Sequence, residues 1–187
     1  MRIFIALDVP EEIRRRISRY AQQMRPLAPG SRWSRPEALH VTLKFVGNAD
    51  SAKVEEMKQA LHEISLPAFE VAFSGVGFFP GERSPKVFWA GVQSIEALPA
   101  LASTIEAALE KIGIPRENKP WHPHLTLARA GAPGRTNLAF RQLPGKLPAE
   151  IPQFGTMTAR EFFLYKSEPT PGGSNYTKLE RFPLKSD

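Results

Sequence analysis

His40-Val41-Thr42-Leu43 returns, eighty-four residues later, as His124-Leu125-Thr126-Leu127. Each tetrapeptide alternates polar with apolar residues. On a β-strand this sets His and Thr on one face and the aliphatic residues on the other. A single such phrase carries little information. In a chain with four histidines, however, chance would produce the pair with odds on the order of one in ten thousand. A proline stands four residues before each histidine, Pro36 and Pro120, which extends the duplication beyond the tetrapeptides. The repeat reads as two similar lobes that face each other, each supplying one histidine to a divided site.

Outward from the two phrases, the pattern of apolar residues predicts strands and helices in alternating groups. A strand spans Arg2 to Val9 and stops at Pro10, where Glu11 and Glu12 begin a helix that runs to about Met24. A short strand near Ser31 to Ser34 precedes the strand Leu39 to Val46. A helix from Ser51 to Ile64 follows, then strands over Phe69 to Phe78 and Lys86 to Val92. The third helix covers Ile95 to Ile112, with Leu98, Leu101, Ile105 and Leu109 inward and Gly113 as its stop. The second phrase lies on a strand from His124 to Arg129. Residues 130–150, rich in Gly, Pro and basic residues, read as a long surface loop with little core. One long strand from Phe154 to Lys166 and a final strand from Tyr176 to Leu184 complete the chain. Helices interleaved with sequentially paired strands indicate an α+β fold, bilobal and pseudo-symmetric, with 1–187 as one domain.

Composition narrows the chemistry. Cysteine is absent, which removes disulfides, thiolate catalysis and cysteine-bound zinc. The formal charge of +6 favours an anionic partner such as RNA, though a merely soluble basic surface has the same composition. There is no run of eighteen apolar residues. The apolar start is too short for a secretory signal, so a cytoplasmic location and no membrane partner are expected.

Paired imidazoles suit phosphodiester hydrolysis. Near its ordinary pKa of about 6.5, one copy accepts a proton from water while the other gives one to the departing oxygen. Thr42 and Thr126, two residues along on the same face, are placed to donate hydroxyls to non-bridging phosphate oxygens. A zinc site on His122 and His124 competes. Against it stand the missing cysteines and the lack of Asp or Glu beside His122 and His124, so neither metal nor cofactor is expected. His62 falls on the second helix, exposed. Trp33 and Trp121 are candidates for the cleft wall, and Trp89 for the core.

RIFIALDVPEEI, RWSRPEALHVTLKFVG, GVGFFPGERSPKVFWAGV, WHPHLTLAR, LYKSE and NYTKLERFPL together resemble the blocks of the 2H phosphoesterase superfamily. Within it, the chain is most similar to the RNA 2′,3′-cyclic phosphodiesterases, historically called 2′-5′ RNA ligases. The resemblance implies two lobes of curved antiparallel sheet with helices outside and the motifs meeting in a central cleft. It further implies metal-independent opening of a terminal 2′,3′-cyclic phosphate on an RNA or nucleotide, leaving a 2′-phosphate, by a protein expected to be a monomer. By position His40 is then the acid and His124 the base, with Thr42 and Thr126 on the phosphate, although pseudo-symmetry lets the two histidines exchange roles. Arg129, five residues after His124, matches a basic position of the family, and Phe45 is its counterpart after His40. An ideal strand puts i and i+5 on opposite faces, so each needs a bulge or a strand end to reach the site. Lys44, Arg83, Lys86, Arg135 and Lys166 are basic residues whose simplest reading is solvated surface charge. Two rival functions stay open: a related enzyme acting on 2′-5′ linkages or nucleotide-sugar cyclic phosphates, and a non-catalytic RNA-binding module.

Overall fold

Strand β1 (Arg2–Asp8) is buried along nearly its whole length, with Ile3 to Leu7 at 1% exposure or less. That continuous apolar run requires cover on both faces. In the computed structural model, which describes residues 1–94, 96–131, 135–171 and 173–185 (side chains omitted for 135–137), β1 lies inside a sheet. The elements that follow are α1 (Glu11–Met24), β2 (Arg32–Trp33), β3 (His40–Asn48) and α2 (Ser51–His62). Then come β4 (Phe69–Phe79), β5 (Val87–Gln93), α3 (Ala97–Glu110), β6 (His124–Arg129) and α4 (Arg135–Gln142). Strands β7 (Gln153–Ala159), β8 (Glu161–Thr170) and β9 (Gly173–Pro183) end the chain.

The strands form two antiparallel sheets, a four-stranded one in the order β3-β1-β8-β9 and a five-stranded one in the order β2-β6-β5-β4-β7. The first motif lies on β3 and the second on β6, so each lobe carries one copy. This is the α+β, two-lobed arrangement that the duplicated phrase predicts. Residues from both sheets and from the apolar faces of all four helices join one buried cluster. Ile13, Ile17 and Met24 are the buried face of α1, Val54, Met57 and Leu61 that of α2, and Leu98, Leu101, Ile105 and Leu109 that of α3.

Local chemistry explains the helix ends. Asp50 caps α2 by accepting the Lys53 backbone N–H at 2.8 Å. Beyond α3, Gly113 takes φ of +83°, a left-handed conformation suited to glycine, and lets the Ile114 N–H reach back to the Leu109 carbonyl at 3.0 Å. The expected start of this helix at Ile95 falls outside the described residues.

Two expectations are corrected. Phe154 to Lys166 is not one strand: β7 pairs with β4 and β8 pairs with β1 and β9, and the chain changes sheet at Arg160. No Gly or Pro marks this crossing, and apolar residues flank the charged pair Arg160-Glu161 closely on both sides. Hydrophobic pattern alone therefore shows no boundary. Residues 130–150 are also more than a loop, for they include α4, with Phe140 and Leu143 fully buried; 132–134 lie outside the described residues. Flanking Gly and Pro mask this short helix in the sequence. No helix is long and apolar enough to cross a membrane among the described residues.

Candidate active site

Both motifs alternate as their sequences require. Val41, Leu43, Leu125 and Leu127 are buried, while His40, Thr42, His124 and Thr126 are half-buried on the opposite face. On β3 the partners are Asp8 opposite His40 and Ala6 opposite Thr42; on β6 they are Gly91 opposite His124 and Trp89 opposite Thr126. The register then slips in both strands. Ile5 pairs with Lys44, leaving Leu43 as an extra residue, and Phe88 pairs with Ala128, leaving Leu127 extra. These bulges fall at the same position of the two tetrapeptides. Each shifts the side-chain phase by one residue, so that i and i+5 share a face. Phe45 and Arg129 are accordingly exposed beside the histidines, and the Phe4 ring lies 4.7 Å from His40 and 5.9 Å from Phe45.

The two strands approach one another between the lobes, with Cα atoms within 8 Å. Across this junction the Trp121 indole N–H donates to the carbonyl of Thr42 at 3.1 Å, tying the approach to the second motif onto the first. Two cavities open here. One of about 1010 Å³ is walled by Thr42, Phe45, Phe79, Trp121, His122 and His124. The other, about 570 Å³, is walled by Phe4, Arg32, Trp33, His40, Arg129 and Tyr176 and shares Phe45 with the first. Thr42 and His124 thus border one cavity, His40 and Arg129 the other, and Phe45 stands between them. Thr126, half-buried like Thr42, lines neither of these two cavities.

The histidines are held alike. Nδ1 of His40 lies 2.8 Å from the carbonyl of Ala38, and Nδ1 of His124 lies 2.7 Å from that of His122. A carbonyl only accepts, so each Nδ1 carries hydrogen and Nε2 is the atom left to exchange a proton. Aromatic rings fix the planes. Tyr176 meets His40 edge-on at 4.9 Å, and Phe79 meets His124 edge-on at 4.9 Å. Burial pushes the His40 pKa down to about 4, opposed by the Ala38 carbonyl and Asp8 and assisted by the charge of His124. Burial also lowers that of His124; the His122 carbonyl opposes this, while the charges of His122 and Arg129 add to it. Each motif therefore lies within electrostatic reach of groups that the sequence scatters widely.

The remaining candidates separate clearly. His122 packs on Trp89 at 5.0 Å and on Phe79 at 5.2 Å, beside His124 rather than in line with it. Among the described residues no three His, Cys, Asp or Glu side chains gather as a metal-binding group. Trp33 and Trp121 line the cleft, and Trp89 is half-buried over Gly77, where a Cβ would collide with its ring. His62 stands away on α2 near Glu180 and Phe182. Lys44 is not a surface charge: it is 5% exposed, ion-paired to Glu106 at 2.7 Å and bonded to the carbonyl of Pro115 at 2.7 Å. Sequence reasoning missed Arg32, Phe4, Phe79 and Tyr176. All four lie in stretches already singled out, but only pairing across strands brings them to the site.

Comparison with known proteins identifies the family and the fold. The LigT-like phosphoesterase family matches residues 7–89 and 92–176, one span for each motif. An RNA 2′,3′-cyclic phosphodiesterase of Archaeoglobus fulgidus is 34% identical over 97% of this chain and 99% of its own length. One of Thermus thermophilus is 33% identical over 100% of this chain and 92% of its own. Among solved structures, a Thermus thermophilus protein superposes with a TM-score of 0.84 at 30% identity, covering 100% of both chains. Escherichia coli LigT complexed with 3′-AMP superposes at 0.80 with 29% identity, over 98% of this chain and 97% of the other.

Proposed function

The chain belongs to the LigT-like phosphoesterase family, and from that premise we propose that it hydrolyses the terminal 2′,3′-cyclic phosphate of RNA to a 2′-phosphomonoester without a metal. Relatives named RNA 2′,3′-cyclic phosphodiesterase over nearly the full length support this substrate. One observation carries the mechanism: two imidazoles tied at Nδ1 in the same way, each leaving Nε2 unbonded among the described residues, with His40 and His124 bordering adjacent cavities that share Phe45.

In this reading Nε2 of His124 takes a proton from water as the water oxygen bonds to phosphorus. The P–O3′ bond breaks, and Nε2–H of His40 protonates the departing O3′. With its pKa near 4 in the protein alone, His40 is neutral at pH 7. The negative charge of a bound phosphate favours the imidazolium, so substrate itself recruits the acid's proton. Thr42 and Thr126 donate hydroxyls to the non-bridging oxygens, and Arg129 offsets the charge that builds there. Phe45, exposed between the two cavities, offers its ring to the terminal base. Asp8, the strand partner of His40, is engaged by Lys178 at 2.6 Å and the Val9 N–H at 2.9 Å. We propose a monomeric enzyme of one bilobal domain. We place it in the cytoplasm.

The test is turnover of a nucleoside 2′,3′-cyclic phosphate in EDTA, with product identified. The expected product is the nucleoside 2′-phosphate, and H40A and H124A should each lower kcat by about 10²-fold or more. Activity abolished by chelation, or retained in both variants, rejects the mechanism.

A further inference from the structure

On the His40 side of the cleft, the 570 Å³ cavity has an excess of positive charge that the reacting phosphate does not explain. Arg32 on β2 stands directly opposite Arg129 on β6 in the antiparallel register. Like charges at directly opposed positions repel. Arg2, the first residue of β1 in the other sheet, joins the same cavity wall. Among the described residues no carboxylate lies within 4.0 Å of Arg2, Arg32 or Arg129 as an ion-pair partner. Arg35 is different, since its guanidinium donates to the carbonyl of Ser174 at 2.9 Å and to Asn175 Oδ1 at 2.8 Å, which makes it part of the frame.

A cyclic phosphodiester carries one negative charge. Three guanidiniums without carboxylates around one cavity match a second anion, and the planar fork of arginine suits phosphate oxygens. Tyr176 and the exposed Phe45 on the same wall supply apolar surface for a sugar or base between two phosphates. Resting on the phosphodiesterase reading above, we propose that Arg2 and Arg32, one from each lobe, form a subsite for a second phosphate of the same RNA strand, on the 5′ side of the terminal ribose. The subsite makes the enzyme selective for phosphate-bearing ends over bare nucleoside cyclic phosphates. Arg129 lies between this subsite and the reacting centre.

The experiment compares kcat/KM for three substrates with the same terminal base: a nucleoside 2′,3′-cyclic phosphate, its 5′-phosphorylated form, and a dinucleotide ending in the cyclic phosphate. Wild type should favour a second phosphate by about tenfold or more, the scale of one charge-assisted hydrogen bond. Gain with the 5′-phosphorylated mononucleotide assigns the subsite to any phosphate. Gain with the dinucleotide alone assigns it to the internucleotide diester. R32Q and, independently, R2Q should bring the ratio close to one. A wild-type ratio near one, or an R32Q loss equal on all three substrates, overturns the subsite while leaving the hydrolase intact.

If wild type turns over none of them, the phosphodiesterase reading fails, and the subsite is judged by binding alone. The salt dependence of affinity for a 3′-phosphorylated single-stranded oligoribonucleotide should then be shallower in R32Q by about 0.7 in the log–log slope, the share of one phosphate contact. An unchanged slope rejects it.

Discussion

At the scale of the residue, the two imidazoles are chemically alike in how they are held and unlike in what surrounds them. Phe4, Tyr165 and Tyr176 enclose His40, whereas Phe79 and His122 flank His124. Both pKa values lie below the ordinary 6.5 in the folded protein, that of His40 at about 4. The unfolded chain therefore takes up these protons first as pH falls. Above pH 6.5 neither state is protonated there and the histidines do not affect stability. Between 6.5 and about 4 the unfolded state holds more protons, so stability declines with falling pH, and the His40 contribution levels off below about 4. Urea midpoints measured at pH 7, 5.5 and 4.5 should show this decline, and H40N should flatten part of it. A constant difference between H40N and wild type across that window would mean that His40 titrates normally.

At the scale of the element, the paired bulges aim Phe45 and Arg129 at the cleft, and the β3 bulge has a second consequence. Shifting the phase by one residue turns Lys44 inward, where Glu106 of α3 receives it. The lysine side chain is 3% exposed and the glutamate 17%, so the ion pair is largely removed from water. Breaking such a pair from one side strands a charge, whereas replacing both partners with apolar groups does not. E106L should lower stability by about 3–5 kcal/mol, and K44M/E106L should recover most of that loss. Chemical denaturation of the two variants decides this; a double variant no more stable than E106L would remove the argument. The exposed pairs Glu11–Arg15 and Glu12–Arg16 on α1 are of another kind, worth a few tenths of a kcal/mol each.

At the scale of the whole molecule, the site exists only where two sheets meet. The sheets are joined by an isolated bridge between Pro67, before β4, and Lys185, after β9. There the Ala68 N–H donates to the Lys185 carbonyl and the Lys185 N–H to that of Leu66, each at 2.8 Å. Beyond it the cleft depends on shared core and on side-chain ties between lobes. Trp121 makes one of these, from the approach to β6 to the backbone of β3. W121F keeps an aromatic ring and removes the N–H, and should cost about 1 kcal/mol of stability, read from the denaturation midpoint. Stability equal to wild type would show that this indole tie contributes nothing to holding the lobes together.

The α+β class, the extents of α1, β3, α2, β4, β5 and β6 to within a few residues, and the face shared by His and Thr in each phrase were all legible in the order of residues. Those features depend on local alternation, which a strand or helix expresses wherever it lies. The change of sheet at Arg160, the burial of Lys44, the helix within 130–150 and the opposition of Arg32 to Arg129 were not legible. Each depends on which distant backbone groups are hydrogen-bonded together, and a register slip of one residue reverses every side chain beyond it. By itself the sequence determined that this protein carries two imidazoles on matching strands. Tertiary structure alone decided that they border adjacent cavities and which arginines line them, because only strand pairing and lobe packing convert separation along the chain into distance in space.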